Sequence, residues 1–154
     1  EEWIDAASKG EGAWCYYNYD PKNGEMYGKL YNWYAVNDKR GLAPELYHIP
    51  SDAEWSVLTD YLGGAQIAGY KMKSTTGWAN NGNGDNSSGF NGLPGGFCDG
   101  GGGFYVITED GYWWSSSESN DYMSWFWNLY FYDGMVINNQ AYKWAGMQVR
   151  CIAD

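Results

Sequence analysis

Few side chains in this sequence have the types and spacing that acid–base or nucleophilic chemistry requires. Residues 115–118 read Ser-Ser-Ser-Glu, but no G-x-S-x-G turn surrounds these hydroxyls, and the one histidine, His48, lies far upstream. Hydroxyls that cap a turn at a strand end explain the run better. His48 has no partner at a spacing typical of a catalytic or metal site, so we expect a packed or surface residue. The sequence therefore predicts a protein that is not an enzyme.

The segment 79–89 has the oxygen-rich composition of a calcium site. It contains a single carboxylate, Asp85, and it lacks the acidic spacing and the final glutamate of an EF-hand. The glycines at 100–103 are followed by aromatic residues rather than by Lys-Ser/Thr and a helix, so this run does not resemble a phosphate-binding loop. We therefore predict a solvated loop at 79–89 and no bound metal or cofactor.

Three cysteines are too few for a disulfide framework. Cys15, Cys98 and Cys151 form no C-x-x-C pair of the kind that binds zinc. A bridge between Cys15 and Cys151 would tie the two ends of the chain together and leave one free thiol. Their positions in the sequence do not establish the geometry that such a bridge needs.

The side chains that remain for function are aromatic, and many lie between residues 111 and 154. In an extended strand over 125–132, alternate residues share a face. One set is Trp125, Trp127, Leu129 and Phe131, and the other is Phe126, Asn128, Tyr130 and Tyr132. A half-exposed strand has one polar face, whereas both of these sets are rich in aromatics. Either the second face is also buried, or it is an exposed contact surface of the kind that Tyr and Trp favour.

Size and charge restrict the partners of this surface. The 154 residues fit one domain that is long enough to bury a hydrophobic core. Aromatics make up 19% of the chain and glycine contributes 22 residues, a composition that favours a β-rich or irregular fold with many turns. The formal charge of −10 repels nucleic acid and anionic lipid, and no apolar run is long enough to cross a membrane. We expect neither nucleic acid binding nor membrane insertion.

Local patterns predict the elements that must carry the aromatic surface. Ser51 and Glu54 form an S-x-x-E capping box, which predicts a helix with an apolar stripe of Trp55, Leu58, Tyr61 and Leu62 that ends at Gly63-Gly64. A short helix is expected over 31–37, a helix or strand within 66–78 and a short strand at 104–108. Residues 1–24 are interpreted as a lead-in strand or loop, of which 1–12 precede the domain proper.

Six blocks of the sequence, taken in order, resemble one family. They are YGKLYNWYAVN at 27–37, LAPELYHIPSDAEWSVLTDYLGG at 42–64, AGYKMKSTTGW at 68–78, NSSGFNGLPGG at 86–96, GYWWSSSE at 111–118 and VRCIAD at 149–154. Together they are similar to the Fibrobacter succinogenes major paralogous domain, which is common in surface and secreted proteins of Bacteroidetes and their relatives. The similarity spans roughly residues 13–154.

The resemblance implies a single α+β domain, 1–154, of the C-type lectin-like fold, with two helices around a small twisted antiparallel sheet and long irregular loops. It implies an extracellular location, on a cell surface or on a phage particle. The related formylglycine-generating enzymes use a cysteine pair that this sequence does not obviously offer. The calcium signature of C-type lectins is also missing, since neither Glu-Pro-Asn nor Gln-Pro-Asp occurs.

Some members of this family are targets of diversity-generating retroelements, which rewrite adenine-containing codons near the end of a gene. By this resemblance, residues 97–148 are the variable region of a domain that binds an unknown protein or glycan ligand. The expected ligand-binding residues are Phe97, Tyr105, Ile107, Asp121, Tyr122, Phe126, Asn128, Tyr130, Tyr132, Asp133, Met135, Ile137, Asn139, Tyr142 and Trp144. The alternative is a carbohydrate-binding module in the stricter sense, because Trp and Tyr stack on sugar rings.

Overall fold

A computed structural model describes residues 1–154, with five α-helices and nine β-strands in a mixed α+β arrangement. The helices are α1 (Glu2–Lys9), α2 (Pro21–Tyr27), α3 (Trp33–Val36), α4 (Asp52–Tyr61) and α5 (Ala65–Met72). The strands are β1 (Trp14–Cys15), β2 (Leu30–Tyr31), β3 (Tyr47–His48), β4 (Phe97–Cys98), β5 (Phe104–Tyr105), β6 (Asp110–Glu118), β7 (Met123–Tyr130), β8 (Val136–Tyr142) and β9 (Ile152–Ala153). This arrangement confirms the expected α+β class. No helix is both long and apolar enough to span a membrane.

An antiparallel sheet in the order β6-β7-β8 forms the centre of the molecule, and three two-stranded pairs surround it. The register of β6 and β7 places Trp113 opposite Trp127 and Trp114 opposite Phe126. Trp113 and Trp127 belong to one buried cluster, whereas Trp114 and Phe126 belong to another. Both faces of β7 are therefore covered, which decides between the two interpretations of its double aromatic pattern.

One face, which we call the helix face, packs against α4 and α5. The capping box predicted at Ser51 is present, with the Glu54 amide donating to Ser51 Oγ and the Ser51 amide donating to Glu54 Oε2. The helix that it starts buries Trp55 against Trp127, with ring centroids 6.1 Å apart. The expected apolar stripe is wrong at Tyr61, which is 86% exposed.

Asp52 in the first turn of α4 connects this helix to the sheet. Its Oδ1 accepts hydrogen bonds from Trp127 Nε1 at 2.8 Å and from Asn138 Nδ2 at 2.6 Å. The amide of Asp52 donates to the Ser117 hydroxyl at 2.9 Å. These bonds bind the start of α4 to all three strands, so the capping box also sets the position of the helix on the sheet.

The other face, which we call the loop face, packs against α3 and the segment 145–147. Trp33 donates from Nε1 to the Ser115 carbonyl oxygen at 2.9 Å, and Trp114 donates from Nε1 to the Tyr31 carbonyl oxygen at 2.8 Å. The indole N–H groups of Trp33 and Trp114 thus both have a main-chain acceptor, which removes the cost of burying them. Helix α3 confirms the short helix expected within 31–37.

The interpretation of 1–24 as a strand or loop holds for β1 and is wrong for α1 and for the start of α2. Trp3 of α1 is 4% exposed, and its Nε1 donates to the Asp99 carbonyl oxygen at 2.8 Å. The bridge between Cys15 and Cys151, which the sequence left open, is not formed, because all three cysteines are free. Cys15 instead shares a buried cluster with Cys98.

Strands β3 and β9 pair antiparallel and bring His48 to the last residues of the chain. His48 Nδ1 lies 2.7 Å from Asp154 Oδ1, and His48 Nε2 lies 2.8 Å from Glu54 Oε1. The hydrogen bond to Asp154, followed by the one to Glu54, raises the pKa of His48. Hydrogen bonds from Ser51 and His48 lower the pKa of Glu54 to about 2. His48, expected as a packed or surface residue, is partly exposed.

The stability that the charged His48 contributes should depend on pH. Because its folded pKa is raised, this contribution is complete below the ordinary histidine pKa of 6.5 and is lost as pH rises through the raised value. We expect His48→Gln to lower the melting temperature at pH near 5 and to have little effect at pH near 9. Thermal unfolding of the wild type and of His48→Gln across this pH range measures the effect. A difference in melting temperature that is the same at every pH would contradict the prediction.

Candidate functional site

The fifteen residues predicted to bind a ligand fall into three groups by exposure. The exposed ones are Tyr105, Asp121, Tyr122, Tyr132, Asn139 and Tyr142. The partly buried ones are Phe97, Ile107, Tyr130, Asp133, Met135, Ile137 and Trp144. The buried ones are Phe126 and Asn128. Thirteen of these residues are therefore accessible at least in part.

The prediction that Phe126 and Asn128 face the solvent is wrong. They are 7% and 1% exposed, because the middle of β7 is covered on its loop face as well. Phe126 packs edge-on against Trp114 with centroids 6.4 Å apart. Asn128 lies opposite Tyr112 and Ile137, and neither polar atom of its side-chain amide has a hydrogen-bond partner. Neither side chain can meet a partner molecule without a change of the surrounding structure.

Three pairs of stacked rings occur among the remaining residues, and each pair joins a partly buried ring to an exposed one. The pairs are Phe97 with Tyr105 at 5.2 Å, Tyr130 with Tyr132 at 5.1 Å and Trp144 with Tyr142 at 4.8 Å between centroids. The outer rings of Tyr105, Tyr132 and Tyr142 are 45%, 65% and 50% exposed. We call these three pairs the ring surface. Because each outer ring rests on an inner one, its orientation is restricted before any ligand arrives.

Tyr112 joins the Phe97–Tyr105 pair to the buried Phe126, although the sequence reasoning missed it as a site residue. Its ring packs against Phe97 with centroids 5.2 Å apart and against Phe126 at 5.7 Å. Its hydroxyl donates to Asp110 Oδ2 at 2.9 Å. Burial, followed by the nearby Asp110 charge, raises the pKa of Tyr112, so its phenol stays protonated. Tyr112 shares the parity of Trp114 in β6, and this alternation is the signal that places it on the loop face.

The loop between β4 and β5 is held in a fixed turn beneath Tyr105. Asp99 Oδ1 accepts from the amides of Gly101 and Gly103 at 2.9 and 2.8 Å, and its Oδ2 accepts from the Tyr105 hydroxyl at 2.8 Å. These bonds, led by that of Gly103, lower the pKa of Asp99. Gly100 in this loop lies under Trp144, where a Cβ would come within 2.6 Å of Cε3. The glycine at this position therefore allows the Trp144–Tyr142 pair to approach the loop that carries Tyr105.

A buried lysine holds the turn that carries Tyr130 and Tyr132. Lys73 is 2% exposed, and its Nζ donates to the carbonyl oxygens of Tyr130 at 3.0 Å and of Asp133 at 2.7 Å. Burial lowers its pKa. Met135 and Asp133 belong to the same turn, and the Met135 carbonyl lies against Gly69 of α5. Asp133 and Met135 are thus close to the helix face and separate from the Phe97–Tyr105 and Trp144–Tyr142 pairs.

A second buried lysine holds the turn that carries Asp121 and Tyr122. The side chain of Lys143 is 6% exposed, pairs with the Glu118 carboxylate and donates to the Asp121 carbonyl oxygen at 2.9 Å. Its Nζ also lies 5.0 Å from the ring centroid of Trp33. The main chain of Lys143 accepts from Trp33 and donates to Tyr122. One residue therefore joins the 118–122 turn to the core under the loop face.

The chemistry that this arrangement supports is contact through ring faces, supplemented by phenol and amide hydrogen bonds. No group of three or more His, Cys, Asp or Glu side chains is placed to hold a metal ion. The acidic residues near the rings, Asp99 and Asp110, are engaged by the tyrosine hydroxyls described above. The site is therefore a set of exposed and partly buried rings carried by short turns around one face of a sheet.

The molecule is thus an α+β domain in which turns around a three-stranded antiparallel sheet display stacked aromatic pairs. A family model, described as the Fibrobacter succinogenes major domain, matches residues 2–153. The chain belongs to this family, as its sequence blocks predicted, and the match includes α1 in the domain. Neither the curated proteins nor the solved structures that were searched contain a significant match.

Removing the Lys143 ammonium should loosen the turn at 118–122 while the sheet remains folded. In Lys143→Met the Asp121 carbonyl loses its donor, and we expect faster amide hydrogen exchange at Tyr122 and Met123, with a loss of about 1–3 kcal/mol in the free energy of unfolding. Hydrogen exchange measures the local effect, with Lys39→Met, at an exposed position, as the control. Unchanged exchange at these amides would show that Lys143 does not hold the turn.

Proposed function

We propose that this domain is a non-enzymatic ligand-binding module whose ring surface recognises a protein or glycan on another surface. The observation that carries the proposal is the set of three stacked pairs, each with one anchored and one exposed ring. Solvent exposure of large rings costs free energy in the isolated domain, and their burial against a partner recovers it. We infer an extracellular location, on a cell surface or on a phage particle, from the family resemblance.

The construction of the ring surface suits tight recognition. Tyr and Trp supply large contact areas with few rotatable bonds, so little conformational entropy is lost when a partner binds. Stacking of Tyr132 on Tyr130 and of Tyr142 on Trp144 reduces this loss further. The exposed Asp121 and Asn139 provide polar contacts at the margin. With a formal charge of −10, the domain favours neutral or basic partner surfaces.

The proposal includes the C-type lectin-like fold and the role of a diversity-generating retroelement target. Short strands, a compact antiparallel sheet and long turns between 97 and 110 are compatible with this fold. The exposed residues of the ring surface and its margin are mainly Tyr, with Asn139 and Asp121, and an Asn codon yields Tyr or Asp when its first adenine is replaced. The residues of the two cores, such as Trp114 and Leu129, are buried. Variation confined to the first set would change recognition and leave the core intact.

The surrounding DNA tests the diversification role. We expect a reverse transcriptase gene nearby and a near-copy of the segment that encodes residues 97–148, differing from it only at adenines. Sequencing of the genomic neighbourhood supplies this observation. A neighbourhood with neither feature would contradict diversification and would leave the ring surface as a fixed binding site.

A carbohydrate-binding module is the second candidate, and the exposed outer rings favour it, because a flat phenol face stacks on a sugar ring. The two candidates differ in what they bind. If the partner is a protein, protease treatment of the target cells should abolish binding. If the partner is a glycan, the domain should still bind purified oligosaccharides. Binding of the labelled domain to protease-treated and untreated bacterial cells, and to an immobilised panel of oligosaccharides, distinguishes them.

Replacement of two outer rings should abolish binding without unfolding the domain. For Tyr132→Ala with Tyr142→Ala we expect at least a tenfold loss of binding to whichever cell or oligosaccharide probe the wild type binds, since anchor rings carry most of the binding energy. The free energy of unfolding should change by about 1 kcal/mol or less, because both rings are at least half exposed.

A matched variant separates this effect from a general loss of exposed tyrosine. Tyr47→Ala with Tyr61→Ala removes two tyrosines that are 48% and 86% exposed and lie outside the ring surface. This variant should bind as the wild type does. Equal loss in both double variants, or no loss in the first, would overturn the assignment of the ring surface.

A further inference from the structure

A second surface, on the opposite side of the sheet from the ring surface, is an apolar groove of about 610 Å³ between α4 and the C-terminal segment. Its apolar lining includes Pro50, Trp55, Leu58, Phe90 and Ile152. This volume is within the range of small-molecule sites, roughly 300–1,000 Å³. None of its lining residues belongs to the ring surface, so the groove is independent of the proposed function.

Apolar side chains of α4 remain exposed beside this groove. Val57 is 68% exposed and Tyr61 is 86% exposed, although both belong to a helix whose other side is deeply buried. At the bottom, Trp55 is 2% exposed, and its Nε1 is a buried donor without an acceptor. The groove thus combines apolar surface that no other part of the chain covers with a polar group that the chain does not satisfy.

Arg150 is the only basic side chain in the lining, and the chain leaves its charge uncompensated. Its Nη2 donates to the Asn91 carbonyl oxygen at 3.1 Å, and its guanidinium lies 5.1 Å from the Phe90 ring centroid. Nε is buried without an acceptor, Nη1 donates to no group of the chain, and Arg150 forms no salt bridge. The side chain as a whole is partly buried, so a ligand that supplies a counter-ion would add charge-assisted hydrogen bonds that the chain itself does not provide.

Glu54 lines the same groove but does not neutralise Arg150. Its Oε1 interacts with His48 Nε2 at 2.8 Å, and its Oε2 accepts from both the amide and the hydroxyl of Ser51 at 2.8 Å. The carboxylate is therefore fully engaged in the capping box and the His48 contact. The groove presents one free cation within an apolar lining, in a protein whose formal charge is −10.

We propose that this groove binds a small amphiphilic carboxylate, with the carboxylate paired to Arg150 Nη1 and the apolar chain along Trp55, Leu58 and Ile152. An arginine guanidinium is suited to carboxylate because its N–H groups form parallel charge-assisted bonds. The apolar lining rejects small inorganic anions, which gain nothing from it. The volume fits one chain of medium length and not a folded partner.

Decanoate is the probe, and uncharged decanol is its matched control. Isothermal titration should show decanoate binding at least tenfold more tightly than decanol, since only the acid pairs with Arg150. In two-dimensional NMR, decanoate should shift the Trp55 indole N–H and the amides of Leu58 and Ile152. Decanoate should also slow alkylation of Cys151, the one cysteine that lines the groove, as followed by peptide mass spectrometry.

Variants test the charge directly. Arg150→Gln should remove the preference for decanoate over decanol, whereas Arg40→Gln, at an arginine already paired with Asp38, should keep it. Arg150→Gln also loses part of the Asn91 contact, so a second pair of variants at the exposed Val57 is needed. Val57→Asp should weaken decanoate binding by repulsion and leave decanol unchanged, and Val57→Lys should not weaken it.

Equal affinity for decanoate and decanol, no binding of either at millimolar concentration, or an unaltered preference in Arg150→Gln would each overturn the proposal. A tetrapeptide that ends in leucine, with a free or an amidated C terminus, provides a further comparison. Binding of the free peptide without binding of decanoate would assign the groove to a chain terminus and overturn the small-ligand assignment. The double variant Tyr132→Ala with Tyr142→Ala, which should lose ring-surface binding, should give the same results with decanoate and decanol as the wild type.

Discussion

The central constraint of this structure is that the middle strand of its sheet is covered on both faces. Trp127 packs against α4 on one side, and Phe126 packs against Trp114 and α3 on the other. A strand in this position has no free face with which to bind a partner. The exposed rings of the ring surface consequently lie at the margins of the sheet, where Tyr105, Tyr132 and Tyr142 occur.

The two cores also explain the unusual composition. Both contain several tryptophans, and this side chain covers a large area but carries an N–H donor. The indole N–H groups of Trp33, Trp114 and Trp127 donate to the main chain or to Asp52, while the indole N–H of Trp55 has no acceptor. Large rings need main chain close by, and glycines such as Gly100 allow that approach. Abundant tryptophan and abundant glycine are therefore two aspects of one packing solution.

Local signals in the sequence were sufficient for the parts of the fold that local chemistry determines. The capping box at Ser51 and Glu54 predicted α4, and the ordered blocks predicted the family. Alternation along 125–132 identified two faces, but it could not tell whether the second face was covered, because this depends on α3 and residues far away in the sequence. The strand expected at 104–108 ends at Tyr105, because Val106 and Thr108 adopt left-handed conformations with φ of 53° and 67°.

Long-range contacts account for what the sequence did not predict. The docking of α1 depends on a bond from Trp3 to Asp99, which no local pattern announces. Lys73 and Lys143 read as ordinary surface lysines, yet both are buried. Their role depends on carbonyl oxygens that are brought together only when the chain has folded. Of the predicted site residues, Phe126 and Asn128 were misplaced for the same reason, since tertiary packing overrode the alternation.

The use of these ammonium groups has an evolutionary consequence. Lys73 and Lys143 grip carbonyl oxygens, which every amino acid possesses, so the path of each turn does not depend on the side chains that it carries. A lineage of such domains can exchange those side chains without first acquiring compensating changes elsewhere. The shape of each turn and the side chains that it displays are then set by different codons.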